Sequence, residues 1–186
     1  MTAAAAYPAA QANALEGKVL PNVSLASTDG ANVVLSELVG RIVIYAYPRN
    51  SPPNGPVVPG WSDIPGAKGC TPQSCGFRDH YSELQSAGAS HVFGLSTQTT
   101  KYQQEVVERL HLPFALLSDS ELLLQSVLGL PLLETSGMTL LHRITLVIQD
   151  AKIERVFHNI TQPEINAAAV LDYLAGTITN RAFQPE

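Results

Sequence analysis

The sequence predicts an α/β fold, a central mixed sheet flanked by helices. Three observations carry that expectation: apolar strands alternate with helix-periodic segments, one strand is apolar on both faces, and the order closes as strand, strand, helix. The chain has 186 residues, 45% of them hydrophobic and 15% charged, enough to fill one core. Mean hydropathy is +0.08. No apolar run approaches the roughly 18–20 residues of a membrane span, which predicts a soluble protein.

Residues 1–16 are rich in alanine and lack both the basic start and the apolar stretch of a secretory signal. They read as a weakly ordered tail before a single domain at 17–186, and the missing signal places the protein in the cytoplasm. Val19, Leu20, Val23 and Leu25 lead into Ser27-Thr28-Asp29-Gly30, a turn, and Val33 to Leu35 return, predicting a hairpin. Arg41 to Tyr47 is β-branched and apolar throughout, as expected of a buried central strand, and Pro48 stops it.

Residues 49–69 contain nine Pro or Gly in twenty-one positions, which excludes a long helix. Pro72 to Ala87 has Phe77, Tyr81 and Leu84 at helical spacing and Gly88 as its stop. His91 to Ser96 reads as a strand, Thr99 to Leu110 as a helix, and Pro113 to Leu117 as extended. Ser118-Asp119 can cap a helix running to Val127. Leu140 to Gln149 and Ile153 to His158 flank a turn at Asp150-Ala151-Lys152, and Pro163 to Leu174 forms the last helix, with Ile165, Ala169 and Leu171 to Leu174 facing inward.

Charge narrows the function classes. Eleven basic against sixteen acidic residues give a net charge of −5, with no footprint for nucleic acid or an anionic membrane surface. Two cysteines are too few for a disulfide scaffold, so their positions carry the information. In Gly69-Cys70-Thr71-Pro72-Gln73-Ser74-Cys75-Gly76-Phe77-Arg78-Asp79, Cys70 falls where the Pro/Gly-rich loop enters a helix. Unpaired N–H groups and the positive end of the helix dipole stabilise a thiolate there, the nucleophilic form. Five residues apart on a helix, Cα atoms lie roughly 8–9 Å from one another, beyond the roughly 7 Å a disulfide spans. A Cys70–Cys75 bond therefore requires the first turn to unwind, which would make the pair a redox switch. Against this stands the reading of both as small buried hydrophobes. A metal site needs more ligands than this pair and His80 supply, and the histidines show no triad spacing. The residues thus imply neither metal nor cofactor.

Tyr47-Pro48, the block at 69–79 and His142 to Ile148 together resemble a peroxiredoxin of the bacterioferritin-comigratory or Q type, over most of residues 17–175. The resemblance implies a thioredoxin-like fold and thiol-dependent reduction of hydrogen peroxide or organic hydroperoxides. By that resemblance Cys70 is the peroxidatic cysteine, Cys75 the resolving cysteine, Arg143 the guanidinium beside the thiolate and Pro48 the ring shielding the pocket. It also implies recycling by thioredoxin or a similar dithiol protein, in a monomer or homodimer. From the residues alone, Arg143 reads equally as a surface arginine at a strand start. Two other functions use the same cysteine pair: a thioredoxin-like disulfide oxidoreductase, and a non-enzymatic redox sensor or metal-binding module.

The chain departs from the family pattern in two ways. The family has Thr or Ser three residues before the peroxidatic cysteine, where Ala67 stands here, and its proline seven before, whereas Pro48 is 22 before Cys70. Some fifteen residues are inserted, and Ser51, Ser62 and Thr71 are the candidate replacements for the missing hydroxyl. Trp61 and the loop prolines form either a lid or interface that selects substrate or reductase, or a surface excursion without a role. Arg78 and Asp79 read first as a structural ion pair. Gly137-Met138-Thr139, Thr97 and Gln98 fall where loops of such sheets approach a site.

Overall fold

The structure is a computed structural model that describes residues 9–53, 55, 58–64 and 67–176. Its centre is strand β3 (Arg41–Ala46), which buries Ile42, Ile44 and Ala46 in one core and Val43, Tyr45 and then Tyr47 in the other. This period of two on a two-sided apolar run is what a strand covered on both faces requires. Around it, β1 (Ser24–Ser27), β2 (Asn32–Val34), β4 (Ala89–Ser96), β5 (Leu116–Ser118), β8 (Ile144–Gln149) and β9 (Lys152–Phe157) complete a seven-stranded sheet. Its order is β2-β1-β5-β4-β3-β8-β9, with β3, β4 and β5 parallel and the outer pairings antiparallel. The expected mixed sheet is observed.

One face carries α2 (Cys70–Asp79), α3 (Tyr81–Ser86), α4 (Thr100–Leu110) and α6 (Asn166–Leu174), which contribute Phe77, Leu84, Val106 and Val170 to its core. The other face packs Ala12, Leu15, Leu124 and Leu128, from α1 (Ala9–Asn13), α5 (Leu123–Leu128) and the turn after α1, against Leu25, Ile44 and Leu146. Within the tail expected at 1–16, Ala12 and Leu15 are 0% and 1% exposed and join this core, while Gln11, Asn13 and Ala14 face solvent; residues 1–8 lie outside the described part. Alanine content hid two well-placed apolar contacts.

Other boundaries also move. The helix expected over 72–87 begins at Cys70 and breaks at His80 (φ −95°, ψ 8°) into α2 and α3. The strand expected over 140–149 is two: β7 (Met138–Leu141), paired with β6 (Leu132–Thr135) in a separate two-stranded sheet, and β8. The β6–β7 turn, Ser136-Gly137, has both residues at positive φ, the two-residue hairpin geometry. Asp150 and Ala151 do the same between β8 and β9, as the sequence indicated. Asp119 accepts from the amides of Leu124 and Gln125, but the helix it caps starts only at Leu123, because Leu122 is left-handed (φ 56°). Ile165, expected inside, is exposed in a short 3-10 turn at Pro163–Ile165, ahead of α6.

The face that bears α2 depends on two glycines. Gly69 enters the helix at φ +96°, and a Cβ there would lie 2.6 Å from Pro163 Cγ; a Cβ on Gly76 would lie 2.8 Å from the Glu164 carbonyl oxygen. Without side chains at both positions, α2 sits directly against the segment that opens α6.

Candidate active site

Cys70 is the first residue of α2, 4% exposed, in the core that holds Tyr45 and Tyr47 from the sheet side and Phe77 from α2 itself. Arg143 occupies the break between β7 and β8, one residue before Ile144 pairs with Ala46. The antiparallel register of β3 and β8 thus sets Arg143 level with the exit of β3, where Pro48 is also buried. Arg143 is 5% exposed, and its Nη2 donates to Cys70 Sγ at 3.2 Å and to the Lys68 carbonyl at 2.9 Å. Its Nη1 donates to Gln73 Oε1. A buried guanidinium beside a sulfur stabilises negative charge there, and its planar fork suits three acceptors at once.

The position three residues before Cys70 contributes its backbone: the Cys70 thiol donates to the Ala67 carbonyl at 3.6 Å. Thr71, one of the candidate hydroxyls, donates instead to Asn50 Oδ1 at 3.1 Å, and Ser51 and Ser62 are exposed. The Asn50 backbone is held by Gln98 from both sides, through its N–H to Oε1 at 2.8 Å and its carbonyl to Nε2 at 3.0 Å. Gln98, expected where loops of such sheets approach a site, thereby fixes the chain where it leaves β3. Thr97, Met138 and Thr139 line a neighbouring cleft with Arg49, whose Nη1 reaches the Met138 sulfur.

Cys75 is free, half-buried, and packs against the same core as Cys70, which is also free. Arg78 pairs with Asp79 at 2.8 Å and donates to the Leu110 carbonyl at 2.9 Å, the structural service expected of it. Tyr45 stacks on Phe77 with ring centroids 4.4 Å apart and donates to Ser74 Oγ at 3.2 Å; burial holds its phenol well above the usual range. The Tyr47 hydroxyl faces Ser96, Asn50 and Gln103 without a well-directed hydrogen bond, and burial pushes it up to about 12. Both phenols stay neutral, in the same core as Cys70.

Sequence reasoning passed over Gln73, Thr145 and Asn166. All three are buried, and Gln73 Nε2 and Thr145 Oγ1 both donate to Asn166 Oδ1, at 3.0 and 2.7 Å. A lone polar residue in a helix gives no signal of its burial; only the entry into a helix at Cys70 put Gln73 one turn from the sulfur. Among the described residues, no group of three or more His, Cys, Asp or Glu converges to hold a metal ion. No helix among them is long and apolar enough to cross a membrane.

Residues 15–171 match the family model described as redoxin. Peroxiredoxin Q, chloroplastic, of Oryza sativa subsp. japonica is 33% identical over 161 residues, covering 86% of this chain and 66% of the rice protein. Peroxiredoxin bcp1 of Schizosaccharomyces pombe is 36% identical over 105 residues, 55% of this chain and 46% of that one. The chain thus spans just under two thirds of the length of the rice relative. Among solved structures, peroxidoxin BcpB from Mycobacterium tuberculosis superposes with a TM-score of 0.70 at 25% identity, covering 88% of this chain and 98% of that one.

Proposed function

Since the chain belongs to the redoxin family, and within it to the Q and bacterioferritin-comigratory peroxiredoxins, we propose that it is a thiol-dependent peroxidase acting through Cys70, with Cys75 as the resolving thiol. The observation that carries this reading is the buried Cys70 sulfur at the start of α2, 3.2 Å from a buried arginine.

The thiolate of Cys70 attacks one peroxide oxygen and the O–O bond breaks. Cys70 leaves as sulfenic acid, and the departing alkoxide or hydroxide takes a proton to become alcohol or water. Negative charge moves from sulfur to the leaving oxygen, so a donor fixed between them serves both ends of the reaction. Arg143 is that donor, held by Gln73 and the Lys68 carbonyl. Pro48, buried at the end of β3, closes one side of the pocket to water. Cys75 then attacks the sulfenic sulfur, forming the disulfide and releasing water. Both cysteines sit on α2, so this step needs residues 70–75 to leave the helix. A dithiol protein of the thioredoxin kind reduces the disulfide, two electrons for each peroxide consumed. Hydrogen peroxide and organic hydroperoxides are the substrates, and a reducing cytoplasm is the compartment that keeps this cycle running.

The test follows peroxide loss coupled to thioredoxin oxidation in native, Cys70→Ser and Cys75→Ser protein. Cys70→Ser should abolish turnover; full turnover in that variant overturns the proposal. Cys75→Ser should keep one rapid oxidation of Cys70 and lose thioredoxin-linked recycling. Reduction of insulin disulfides without peroxide consumption would assign the site to disulfide exchange instead.

A further inference from the structure

We infer that Asn166, at the start of α6, is a positioning residue for Arg143 that acts through Gln73 and ties the guanidinium to the folded state of α2. The inference rests on the peroxidase reading of Cys70. It starts from the two-ended chemistry of a carboxamide. Arginine only donates, so Gln73 must meet Arg143 with Oε1 and turn Nε2 the other way. Nε2 then needs an acceptor in a region without solvent, and Asn166 Oδ1 receives it at 3.0 Å. Thr145 Oγ1, from the second residue of β8, donates to the same oxygen at 2.7 Å, so Asn166 also has one end fixed.

Gln73 and Thr145 are 0% exposed, Asn166 3% and Arg143 5%. A flipped amide at Gln73 would set N–H against N–H with no water to relieve it, a costly arrangement in a dry site. The chain of contacts from Thr145 through Asn166 and Gln73 to Arg143 therefore has a single allowed direction. It joins β8, α6 and α2, and ends on the donor that touches the Cys70 sulfur.

The same contacts read the state of α2. Gln73 lies between Cys70 and Cys75, so unwinding that turn to close the disulfide breaks its bonds to Asn166 and to Arg143 together. Asn166 thus favours the folded, peroxide-reactive form and opposes the unwound, disulfide-forming one. Its removal should slow the first step and speed the second, opposite effects that general damage to the fold does not produce.

The experiment measures two rates in reduced protein whose circular dichroism matches the native form. The first is oxidation of Cys70 by hydrogen peroxide, read by trapping sulfenic acid in a Cys75→Ser background. The second is closure of the disulfide after a peroxide pulse with Cys75 present. Asn166→Leu should lower the first about tenfold, the upper end for loss of one neutral buried hydrogen bond, and raise the second. Thr145→Val, which conserves shape, should act in the same directions but more weakly, and it serves as the readout if Asn166→Leu does not fold. In a Gln73→Leu background, Asn166→Leu should change the first rate less than twofold, because its route to Arg143 is gone. Multiplying effects in that double variant, or both rates falling in both single variants, overturns the inference. Native protein whose Cys70 does not react with peroxide overturns the peroxidase reading itself.

Discussion

Replacing Arg143 by methionine keeps the bulk of the side chain and removes its charge and donors. The separation of 3.2 Å between Nη2 and Cys70 Sγ sets the scale. At an effective dielectric of about 20, two unit charges that far apart interact by about 5 kcal/mol, an upper bound because only part of each charge is engaged. A hydrogen bond to a charged group contributes about 1.5–3 kcal/mol net, and loss of one preorganised oxyanion donor typically costs about 2.7–4 kcal/mol of transition-state stabilisation. The ranges overlap at about 3 kcal/mol, so Arg143→Met should slow Cys70 oxidation by roughly 10²-fold. Arg143→Lys should fall between, since one ammonium cannot serve Lys68 O, Gln73 Oε1 and the sulfur at once. Because sulfur and guanidinium are 4% and 5% exposed, added salt should leave the native-to-variant ratio unchanged. The assay is stopped-flow measurement of the second-order rate constant for Cys70 with hydrogen peroxide, on reduced protein checked for fold. A folded Arg143→Met variant that reacts within threefold of native would refute the reasoning.

Gly76→Ala places a methyl 2.8 Å from the Glu164 carbonyl, which the backbone must move to admit. We expect a loss of about 1–3 kcal/mol, seen as a Tm several degrees lower in the reduced protein; an unchanged Tm would show that α2 does not sit tightly on the 163–167 segment. Tyr47 keeps its proton up to about 12 in the fold but loses it near 10.0 when unfolded, so the folded state binds more protons across that window. Its stabilisation is complete below pH 10 and is lost as pH rises towards 12, by about 2–3 kcal/mol in all. Tyr47→Phe should reduce the alkaline loss of stability in denaturant titrations, leaving the shares due to Tyr45 and Tyr173; an identical alkaline slope would discount burial of Tyr47 as a cause.

Much of the fold was legible where one local rule decided the outcome. The run Arg41 to Tyr47 declared a two-sided strand, and Asp150-Ala151 declared a hairpin. The Pro/Gly-rich run and Pro72 marked a loop-to-helix handover at Cys70, although the helical spacing was legible only from Pro72, and resemblance to a known family singled out Cys70, Cys75, Pro48 and Arg143. What stayed hidden depended on tertiary partners. Nothing local separates Met138–Leu141 from Ile144–Gln149, because the break at His142-Arg143 falls where the chain passes from pairing with β6 to pairing with β3 and β9. Gln73 and Asn166 look like ordinary exposed helix residues until each is seen to be the other's partner. Ala12 and Leu15 were missed for the same reason: burial is a property of what faces a residue.

The long interval between Pro48 and Cys70 gains a different meaning from its two ends. Pro48 and Asn50 are pinned by β3 and the Gln98 clamp, whereas Ala67 and Lys68 are held at the Cys70 thiol and Arg143, and Gly69 and Cys70 by the docking of α2 on the Pro163 segment. Extending the interval from 7 to 22 residues then costs only the chain-length entropy of closing a longer loop, (3/2)RT ln(22/7), or about 1 kcal/mol. The part between Asn50 and Ala67 can change length and composition while both ends stay anchored, so new recognition elements can be acquired there with the chemistry left in place.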